Sequence, residues 1–328
     1  MNLGKEFGLG VVIGKFLPPH RGHHFLIDAA LSRCNRVVVF VCGKPSDPIS
    51  GHLRQEWLQE MHPAADVRLI DDCYDENDSR VWAENTIRWL GRAPDAVFTS
   101  EQYGDAYACH MDCQHIMVDH ARIAVPCSGT AVREDAFGQW LHLSPPVRGW
   151  YAKRIVVLGA ESTGTTTLAQ ALATHFNTLW VPEYGREYSM EKQFRGDFEW
   201  RTDEFLEIAC EQTRRENLAA REANRLLICD TNAFATSLWH RRYMGRESPP
   251  LNDLAKLCRA NLYILTGDEI PFVQDGLRDG ESIRHEMHRW FEEALRRQPV
   301  PWMMVRGTPE YRLEQAVAAC ECGSSTGT

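Results

Sequence analysis

The sequence lacks any run of about 18 uninterrupted apolar residues, which is the length that a membrane-spanning helix requires. A membrane span is therefore not supported. The sequence also begins without a positively charged and apolar secretory leader. We expect a cytoplasmic protein whose eleven cysteines are reduced and mostly buried thiols.

Basic residues are not in excess either. The 36 lysines and arginines are outnumbered by 45 aspartates and glutamates, and the formal net charge is −9. This balance argues against nucleic acid or an anionic membrane as a partner and leaves small molecules, although it permits local positive pockets for phosphate. A homo-oligomer remains allowed, because interface patches cannot be read from a sequence.

The cysteines and histidines do not have the spacing of structural zinc sites. Cys320 and Cys322 have no second cysteine or histidine pair near them. Cys109 and Cys113 lie near histidines but fit no familiar ligand pattern. We therefore expect no metal site built on cysteine.

What the sequence does contain is a regular alternation of short apolar runs and amphipathic stretches, which predicts strands and helices in turn. The alternation predicts an α/β fold class with two doubly wound parallel-sheet domains. The first series has strands at 9–16, 36–42, 67–70 and 95–99 and helices at 23–32, 53–61 and 80–90. The second has strands at 155–158, 178–181, 226–230, 262–265 and 302–305 and helices at 168–175, 205–224, 283–297 and 309–319.

The pattern is interrupted between the two series. Pro145, Pro146 and Gly149 fall in this interruption, and a new apolar strand follows it. We place the first domain at 1–146 and the second at 147–322, with a disordered tail at 323–328.

The first candidate site follows the first strand, in the segment GKFLPPHRGH at 14–23. Gly14 lets a phosphate approach closely, and the helix that begins after His20 offers free N–H groups. His20 and His23 are three residues apart, so they can face the same anion. The plainer alternative is a turn with two incidental histidines, but six fixed positions in ten favour a triphosphate site.

A second segment of the first domain, SGTAVR at 128–133, precedes another amphipathic stretch. Taken alone, Ser128 or Thr130 is a helix N-cap and Arg133 is a solvated side chain. Together with the first loop, the two hydroxyls and the guanidinium could hold the β and γ phosphates of one nucleotide.

These two segments resemble the nucleotidylyltransferase superfamily over residues 8–143. The resemblance implies a Rossmann-like domain that transfers the nucleotidyl group of ATP or CTP to a phosphorylated acceptor by positioning and charge stabilisation, without a general base. It assigns catalysis to His20, His23, Lys15 and Arg133, and ATP binding to Gly14, Phe16, Gly22, Ser128 and Thr130.

The second candidate site is the segment GAESTGTTT at 159–167, between an apolar strand and a helix. Gly159 and Gly164 have the spacing of a P-loop, and Thr166 occupies the hydroxyl position that binds magnesium in such loops. Thr165 stands where a P-loop carries its lysine, so a charged donor to the phosphates is missing. Such a loss costs on the order of 3 kcal/mol in a transition state, so ATP binding should tolerate it better than turnover.

Three later segments fit a nucleotide site. Asp230 ends a strand, as expected of a carboxylate beside a magnesium ion or a substrate hydroxyl. The segment 183–188 could hold a nucleoside, and 271–280 is predicted to be a mobile loop. Each segment alone fits solvated ion pairs equally well, but their order behind the P-loop favours function. We assign Asp230 to catalysis and, with Thr166, to Mg²⁺; Glu183, Tyr184, Arg186 and Tyr188 to the nucleoside; and Gly159, Glu161, Ser162, Thr163, Gly164, Thr165, Thr166, Thr167 and Arg278 to ATP.

This order of segments resembles the NadR family, in which a nicotinamide mononucleotide adenylyltransferase is fused to a ribosylnicotinamide kinase. The segment 306–312 is similar to the nucleotide-base loop and closing helix of that family. The resemblance implies an enzyme of NAD biosynthesis and pyridine nucleotide salvage. It implies that the second domain phosphorylates nicotinamide riboside and that the first converts the resulting mononucleotide, with ATP, to NAD and pyrophosphate.

The sequence departs from the family pattern at two places. It begins almost at the first strand, without the helix-turn-helix segment of some relatives, which disfavours a repressor role. Thr165 makes the second domain either a kinase in which another cation replaces the lysine, or a nucleotide-sensing module without phosphoryl transfer. The candidate cations are Arg186, Arg278, Arg241 and Arg242. For the first domain, another phosphorylated acceptor, such as a phosphopantetheine or a sugar phosphate, stays open.

Overall fold

Strands and helices alternate through both halves of the chain, as the sequence predicts. The structure, a computed structural model, describes residues 4–75, 77–273 and 281–322. The chain divides into Met1–Val147 and Arg148–Thr328, here named unit 1 and unit 2. Arg278, and the tail 323–328 that was expected to be disordered, lie outside the described residues.

Unit 1 contains a five-stranded sheet in which every strand pair is parallel. The strands are β1 (Phe7–Gly14), β2 (Cys34–Gly43), β3 (Asp66–Asp71), β4 (Ala96–Thr99) and β5 (Gln114–Met117). The helices are α1 (Arg21–Arg33), α2 (Gly51–Met61), α3 (Ser79–Leu90), α4 (Tyr103–His110), α5 (Gly129–Glu134) and α6 (Pro145–Tyr151), with a 3₁₀ turn at Trp140–His142. The strand order is β3-β2-β1-β4-β5.

Both faces of this sheet are covered by helices. Along β2, Val37, Val39 and Val41 belong to the apolar cluster that contains α1 residues, while Val38 and Phe40 belong to the cluster of α3 and α4. A strand that is buried on both faces needs apolar residues at every position, which explains its continuous apolar sequence. The strand order reverses between β1 and β4, and in such sheets ligands bind in the crevice at this point. The loop after Gly14 begins there.

Unit 2 contains a second five-stranded sheet, also parallel throughout. The strands are β6 (Lys153–Leu158), β7 (Trp180–Val181), β8 (Leu226–Asp230), β9 (Leu262–Thr266) and β10 (Trp302–Val305). The helices are α7 (Thr165–His175), α8 (Tyr184–Phe194), α9 (Thr202–Glu222), α10 (Ala233–Met244), α11 (Pro249–Leu257), α12 (Arg284–Arg297) and α13 (Pro309–Cys322). The order β10-β9-β6-β8-β7 puts β6, which leads into the glycine loop, at the centre.

The α/β class with two doubly wound parallel sheets is confirmed, but several elements have no counterpart in the sequence prediction. The strand β5 is a partly exposed edge strand without an apolar run, and α4 contains Gly104 in its first turn. Neither gives a periodic signal. The helices α10 and α11 were also missed. In the ranges that the structure describes, no helix is long and apolar enough to cross a membrane.

The proline-rich segment between the two series forms a helix rather than an irregular joint. Pro145 and Pro146 occupy the first turn of α6, where a missing backbone N–H breaks no helical hydrogen bond. The boundary between the two units falls inside this helix, between Val147 and Arg148.

A buried ionisable pair lies between α9 and the central strand of unit 2. Arg154 and Glu216 are 4% and 1% exposed, and their Nη1 and Oε2 atoms are 3.9 Å apart. The Arg154 Nη2 atom donates to Asn217 Oδ1 at 2.8 Å, and Gln212 Nε2 donates to Glu216 Oε1 at 3.3 Å. Burial raises the pKa of Glu216 to about 7, although Arg154 and Gln212 oppose this shift.

We predict that the substitution Glu216→Gln stabilises unit 2 in a pH-dependent way. The folded chain keeps the Glu216 proton up to about pH 7, whereas the unfolded chain releases it near the ordinary pKa of 4.5, so folding stability falls as pH rises between these values. Glutamine has no proton to release, so the stability of the variant does not fall for this reason as pH rises. It should match the parent near pH 5 and exceed it near pH 8 by up to roughly 3 kcal/mol.

The measurement is urea unfolding of the full chain at both pH values, with hydrogen exchange in β8 assigning the transition to unit 2. Glu222→Gln, at an exposed position on the same helix, is the matched control and should leave stability unchanged. An equal effect of Glu216→Gln on stability at both pH values would contradict the raised pKa of Glu216.

Candidate active sites

The first loop of unit 1 turns sharply after β1. Phe16 has a φ of 49°, and its side chain is only 2% exposed. Its ring packs edge-on against His23, with 4.9 Å between the ring centroids. The structure therefore places Phe16, which the sequence assigned to ATP binding, beneath a histidine as a packing residue. Lys15 is exposed at the start of the loop, next to Gly14 at the end of β1.

The two histidines of the loop lie face to face at the N-terminus of α1. Their ring centroids are 3.7 Å apart, with an interplanar angle of 30°. His20 is the N-cap residue, and its Nδ1 atom accepts from the Gly22 N–H at 3.1 Å. A neutral ring that accepts at Nδ1 carries its hydrogen on Nε2, so His20 presents an N–H donor on its other side. A side chain at Gly22 would come within 3.0 Å of the His20 ring.

Both rings are neutral at pH 7. Burial, together with repulsion from the nearby His24, Arg122 and His142, lowers the pKa of His20 to about 3. Burial also holds the pKa of His23 well below its ordinary value, again with repulsion from neighbouring cationic forms. The two rings therefore act in the ligand-free protein as hydrogen-bond donors rather than as fixed charges.

The structure brings the second predicted segment of unit 1 against the first. Arg133 Nη1 donates to the Leu17 carbonyl at 2.5 Å, although the two residues are 116 positions apart in the sequence. Its Nη2 atom donates to Thr130 Oγ1 at 3.1 Å. Ser128 caps α5 by accepting from the Ala131 N–H at 3.1 Å. Hydroxyls, a guanidinium and a helix N-terminus thus lie beside the histidine loop, as the triphosphate hypothesis requires.

Sequence reasoning missed the residues that support this loop from outside the motif. Arg54 is fully buried and donates to the carbonyls of Lys15, Cys42 and Ile49. A lone arginine in an amphipathic helix gives no signal of such a role. His24 Nδ1 lies 2.8 Å from His62 Nε2, and burial lowers the pKa of His24 to about 4.

In unit 2 the glycine loop has P-loop geometry between β6 and α7. Gly164, with a φ of 84°, is the N-cap residue of α7. A side chain at Gly159 would come within 2.3 Å of Thr266 Oγ1, so glycine is required at that position. Thr163 is 1% exposed and donates to the Ala160 carbonyl at 2.7 Å. Thr163, which the sequence assigned to ATP, therefore braces the loop from inside. The loop residues that line the adjacent pocket are Gly159, Ala160, Glu161, Ser162, Gly164, Thr165, Thr166 and Thr167.

Asp230 meets the start of α7 at the base of this pocket. Thr166 Oγ1 donates to Asp230 Oδ2 at 2.5 Å. Burial raises the pKa of Asp230, while hydrogen bonds from Thr166 and Thr165 and the charge of Arg186 oppose this. A buried carboxylate and a hydroxyl are hard oxygen ligands, which fit Mg²⁺. Among the described residues, no cluster of three or more acidic, histidine or cysteine side chains has a metal-binding arrangement. Mg²⁺ does not need one, because it commonly uses one or two protein oxygens together with phosphates and water.

Two of the candidate replacement cations have other contacts. Arg242 Nη1 pairs with Glu161 Oε1 at 2.6 Å, and its side chain is 6% exposed. Its guanidinium also lies 4.7 Å from the Tyr243 ring centroid. Arg241 lies over the Trp290 ring at 4.5 Å. Arg186 lines the pocket with the P-loop residues.

The pocket has an aromatic wall that sequence reasoning did not identify. Of the nucleoside candidates, Glu183 and Arg186 line the pocket. Tyr184 instead lies against the Arg215 guanidinium at 4.3 Å, and Tyr188 stacks on Trp200 at 6.2 Å. The aromatic side chains that do line the pocket are Trp200, Phe205, Trp239 and Tyr243. They come from α9, α10 and the segment before α9, which carry no motif.

The P-loop is held from behind by Arg312. This residue is 4% exposed and donates to the carbonyls of Thr163, Gly267 and Gly307 at 2.6, 3.1 and 3.0 Å. It also pairs with Glu269 at 2.6 Å. The segment that the sequence likened to a nucleotide-base loop therefore includes a structural anchor of the P-loop.

Sequence comparison identifies one matching family model and several related proteins. The family described as an AAA domain matches residues 154–312, which include the P-loop and Asp230. The "Trifunctional NAD biosynthesis/regulator protein NadR" of Escherichia coli (strain K12) is 29% identical over 335 residues, which is 92% of this chain and 81% of the relative. The protein of that name from Salmonella typhimurium (strain LT2) is 28% identical over 93% of this chain and 81% of the relative.

Solved structures give the same fold over nearly the whole chain. A crystal structure of NadR in complex with NAD and AMP-PNP has a TM-score of 0.75 and 21% identity, and the match covers 95% of this chain and 96% of that one. A crystal structure of NadR in complex with NR has a TM-score of 0.76 and 20% identity, covering 98% and 97%. The chain is thus homologous to NadR over more than nine tenths of its length, with the same fold.

Proposed function

We propose that the protein is a cytoplasmic enzyme of NAD biosynthesis and salvage. Unit 1 transfers the adenylyl group of ATP to nicotinamide mononucleotide, and unit 2 phosphorylates nicotinamide riboside. The observation that carries the proposal is that homology to NadR extends over 92% of the chain and includes two separate nucleotide-type loops. The ligands that the NadR structures contain, NAD with AMP-PNP in one and NR in another, support the same substrates here.

In unit 1 the reaction needs positioning more than proton transfer. A phosphate oxygen of the mononucleotide bonds to the α phosphorus of ATP, and the bond from that phosphorus to the β-bridging oxygen breaks, which releases pyrophosphate. The attacking phosphate is already ionised, so no general base is needed. In this proposal His20 Nε2–H and His23 donate to the α phosphate, together with the N–H groups of the α1 N-terminus. The position of both rings at this helix end supports these roles. Arg133 and Thr130 would hold the leaving pyrophosphate, and their contacts with each other and with the Leu17 carbonyl support this.

In unit 2 the 5′-hydroxyl oxygen of the riboside bonds to the γ phosphorus of ATP, and the bond from that phosphorus to the β,γ-bridging oxygen breaks, so that ADP leaves. The hydroxyl proton passes to the transferred phosphoryl group and then to solvent. When bound, Mg²⁺ would neutralise charge on the β and γ phosphates, and Thr166 and Asp230 are the residues that would hold it. In a largely dissociative transfer the hydroxyl keeps its proton until late, so its orientation matters more than a strong base. Backbone N–H groups of the loop from Gly159 to Gly164 provide the phosphate cradle.

Unit 2 has a second candidate function. Thr165 gives the P-loop no lysine, and the backbone cradle alone is sufficient to bind an anion. A module that binds ATP or NAD and regulates unit 1 without phosphoryl transfer would use the same residues. Formation of nicotinamide mononucleotide from nicotinamide riboside and ATP distinguishes the kinase from the sensing module.

We predict that His20→Ala and His23→Ala each reduce NAD formation from ATP and nicotinamide mononucleotide by about 100-fold or more, because each removes a donor aimed at developing charge. The riboside kinase reaction should not change. NAD and pyrophosphate, measured by chromatography and a coupled assay, should appear in equal amounts. His110→Asn, at the exposed end of α4, is the control. Absence of NAD together with adenylylation of a phosphopantetheine or sugar phosphate would reject the nicotinamide acceptor.

We predict that the rings of His20 and His24 stay neutral from about pH 5.5 to about pH 8 in the ligand-free protein. Their pKa values are lowered to about 3 and about 4, so protonation occurs only below this range. Nitrogen-15 NMR of the labelled imidazoles should show a bare Nδ1 and a protonated Nε2 on His20, with His20→Asn and His24→Asn providing the assignments. A titration midpoint near 6.5 for His20 would disprove the neutral donor mechanism.

We predict that the full chain forms nicotinamide mononucleotide from nicotinamide riboside and ATP, and that Asp230→Asn reduces this rate by about 100-fold or more, because the carboxylate charge is lost beside the phosphates. NAD formation from added mononucleotide should stay unchanged and serves as the internal control for folding. Tight ATP binding in unit 2 without any mononucleotide product would establish the sensing module instead of the kinase.

A further inference from the structure

Among the described residues that line the P-loop pocket of unit 2, acidic side chains outnumber basic ones. Glu161, Glu183 and Asp230 line it, and each carries a carboxyl group. Thr165, at the position of the usual lysine, has a hydroxyl that hydrogen-bonds to Asp230. One magnesium ion cannot by itself compensate a triphosphate and these carboxylates, so we expect the protein to supply a cation from another position.

Three arginines lie close to the P-loop but are already used. Arg242 pairs with Glu161 and is nearly buried, so it neutralises a carboxylate of the loop itself. Arg312 donates to three backbone carbonyls and to Glu269. Arg284 is 5% exposed and donates to the carbonyls of Asp268 and Ile270. Moving any of them toward a phosphate would leave carbonyls or a partly buried carboxylate without this partner.

Arg186 differs from these three in its position. It lies in the first turn of α8, and it is the one basic side chain among the described residues that line the pocket. Its side chain is exposed, so reorientation toward a ligand costs little desolvation. Its charge already reaches the carboxylate of Asp230, which faces Thr165 and Thr166. Arg186 and Thr165 therefore line the same pocket.

We propose that Arg186 contacts the β and γ phosphates of the nucleotide bound in unit 2 and supplies the positive charge that Thr165 does not. This inference rests on nucleotide binding at the P-loop, as proposed above. The planar fork of an arginine can bridge two phosphate oxygens, so a side chain from another helix can replace a lysine that projects from the loop. The assignment also changes the expected role of Arg186 from the nucleoside to the phosphates.

The test is a double-substitution cycle with Arg186→Gln and Thr165→Lys. All variants are made in the full chain. Unit 1 is identical in all of them, so any difference between variants in the calorimetric titration with Mg²⁺ and ATP is assigned to unit 2. We expect Arg186→Gln to weaken ATP binding about 10- to 100-fold when Thr165 is present. With lysine at 165, the same substitution should cost less than about threefold, because the charge is then supplied from the loop. The KM for ATP in riboside phosphorylation should follow the same pattern.

Arg214→Gln on α9 is the matched control, since this arginine is 60% exposed and does not line the pocket. The Arg214→Gln variant should bind ATP with unchanged affinity. The proposal is overturned if Arg186→Gln leaves ATP affinity unchanged, or if its effect is equally large with threonine and with lysine at 165. If the affinities follow the expected pattern but no variant phosphorylates the riboside, the role of Arg186 stands and the kinase activity is rejected.

Discussion

Both candidate sites depend on a buried arginine that holds a phosphate-type loop from behind. In unit 1, Arg54 donates to carbonyls at the end of β2, in the first loop and before α2. In unit 2, Arg312 donates to carbonyls of the P-loop and of the segments after β9 and β10. A buried carbonyl without a donor costs about 1–3 kcal/mol, so each arginine makes one loop conformation much more favourable than others. The N–H groups on the front of the loop are then already oriented for an anion.

The sequence predicts the parts of the fold that need continuous apolar runs. Strands such as β2 and β8 are buried on both faces, so their sequences are apolar at successive positions and easy to identify. The edge strand β5 and the helix α4 obey no such constraint, because β5 is partly exposed and α4 has little amphipathic character. Pro145 and Pro146 misled the prediction for a different reason. Proline breaks a helix in its interior but is tolerated in its first turn, where α6 has both.

The sequence predicts the site only as far as the motifs extend. His20, His23 and Arg133 come together as expected, because the carboxyl edge of a parallel sheet gathers loops that are distant in sequence. Phe16 and Thr163 occupy motif positions but face inward, which spacing cannot distinguish from a ligand contact. The residues that complete each site, including Arg54, Arg312 and the aromatic wall from Trp200 to Tyr243, lie in ordinary helices and loops. Only the tertiary structure reveals their roles.

The two proposed sites would meet phosphate charge in opposite ways, which is how an acidic chain would bind polyphosphates in both units. Unit 1 presents neutral imidazoles at a helix N-terminus, so its free state carries no clustered positive charge to repel itself. Unit 2 has carboxylates in its pocket, so a polyphosphate bound there would need permanent cations such as Mg²⁺ and an arginine. A lysine fixed in the loop is one way to provide such a cation, and Arg186, which lines the pocket from a second helix, is the one that we propose here. The net charge of −9 therefore sets no limit on phosphate binding, because local donors rather than total charge determine it.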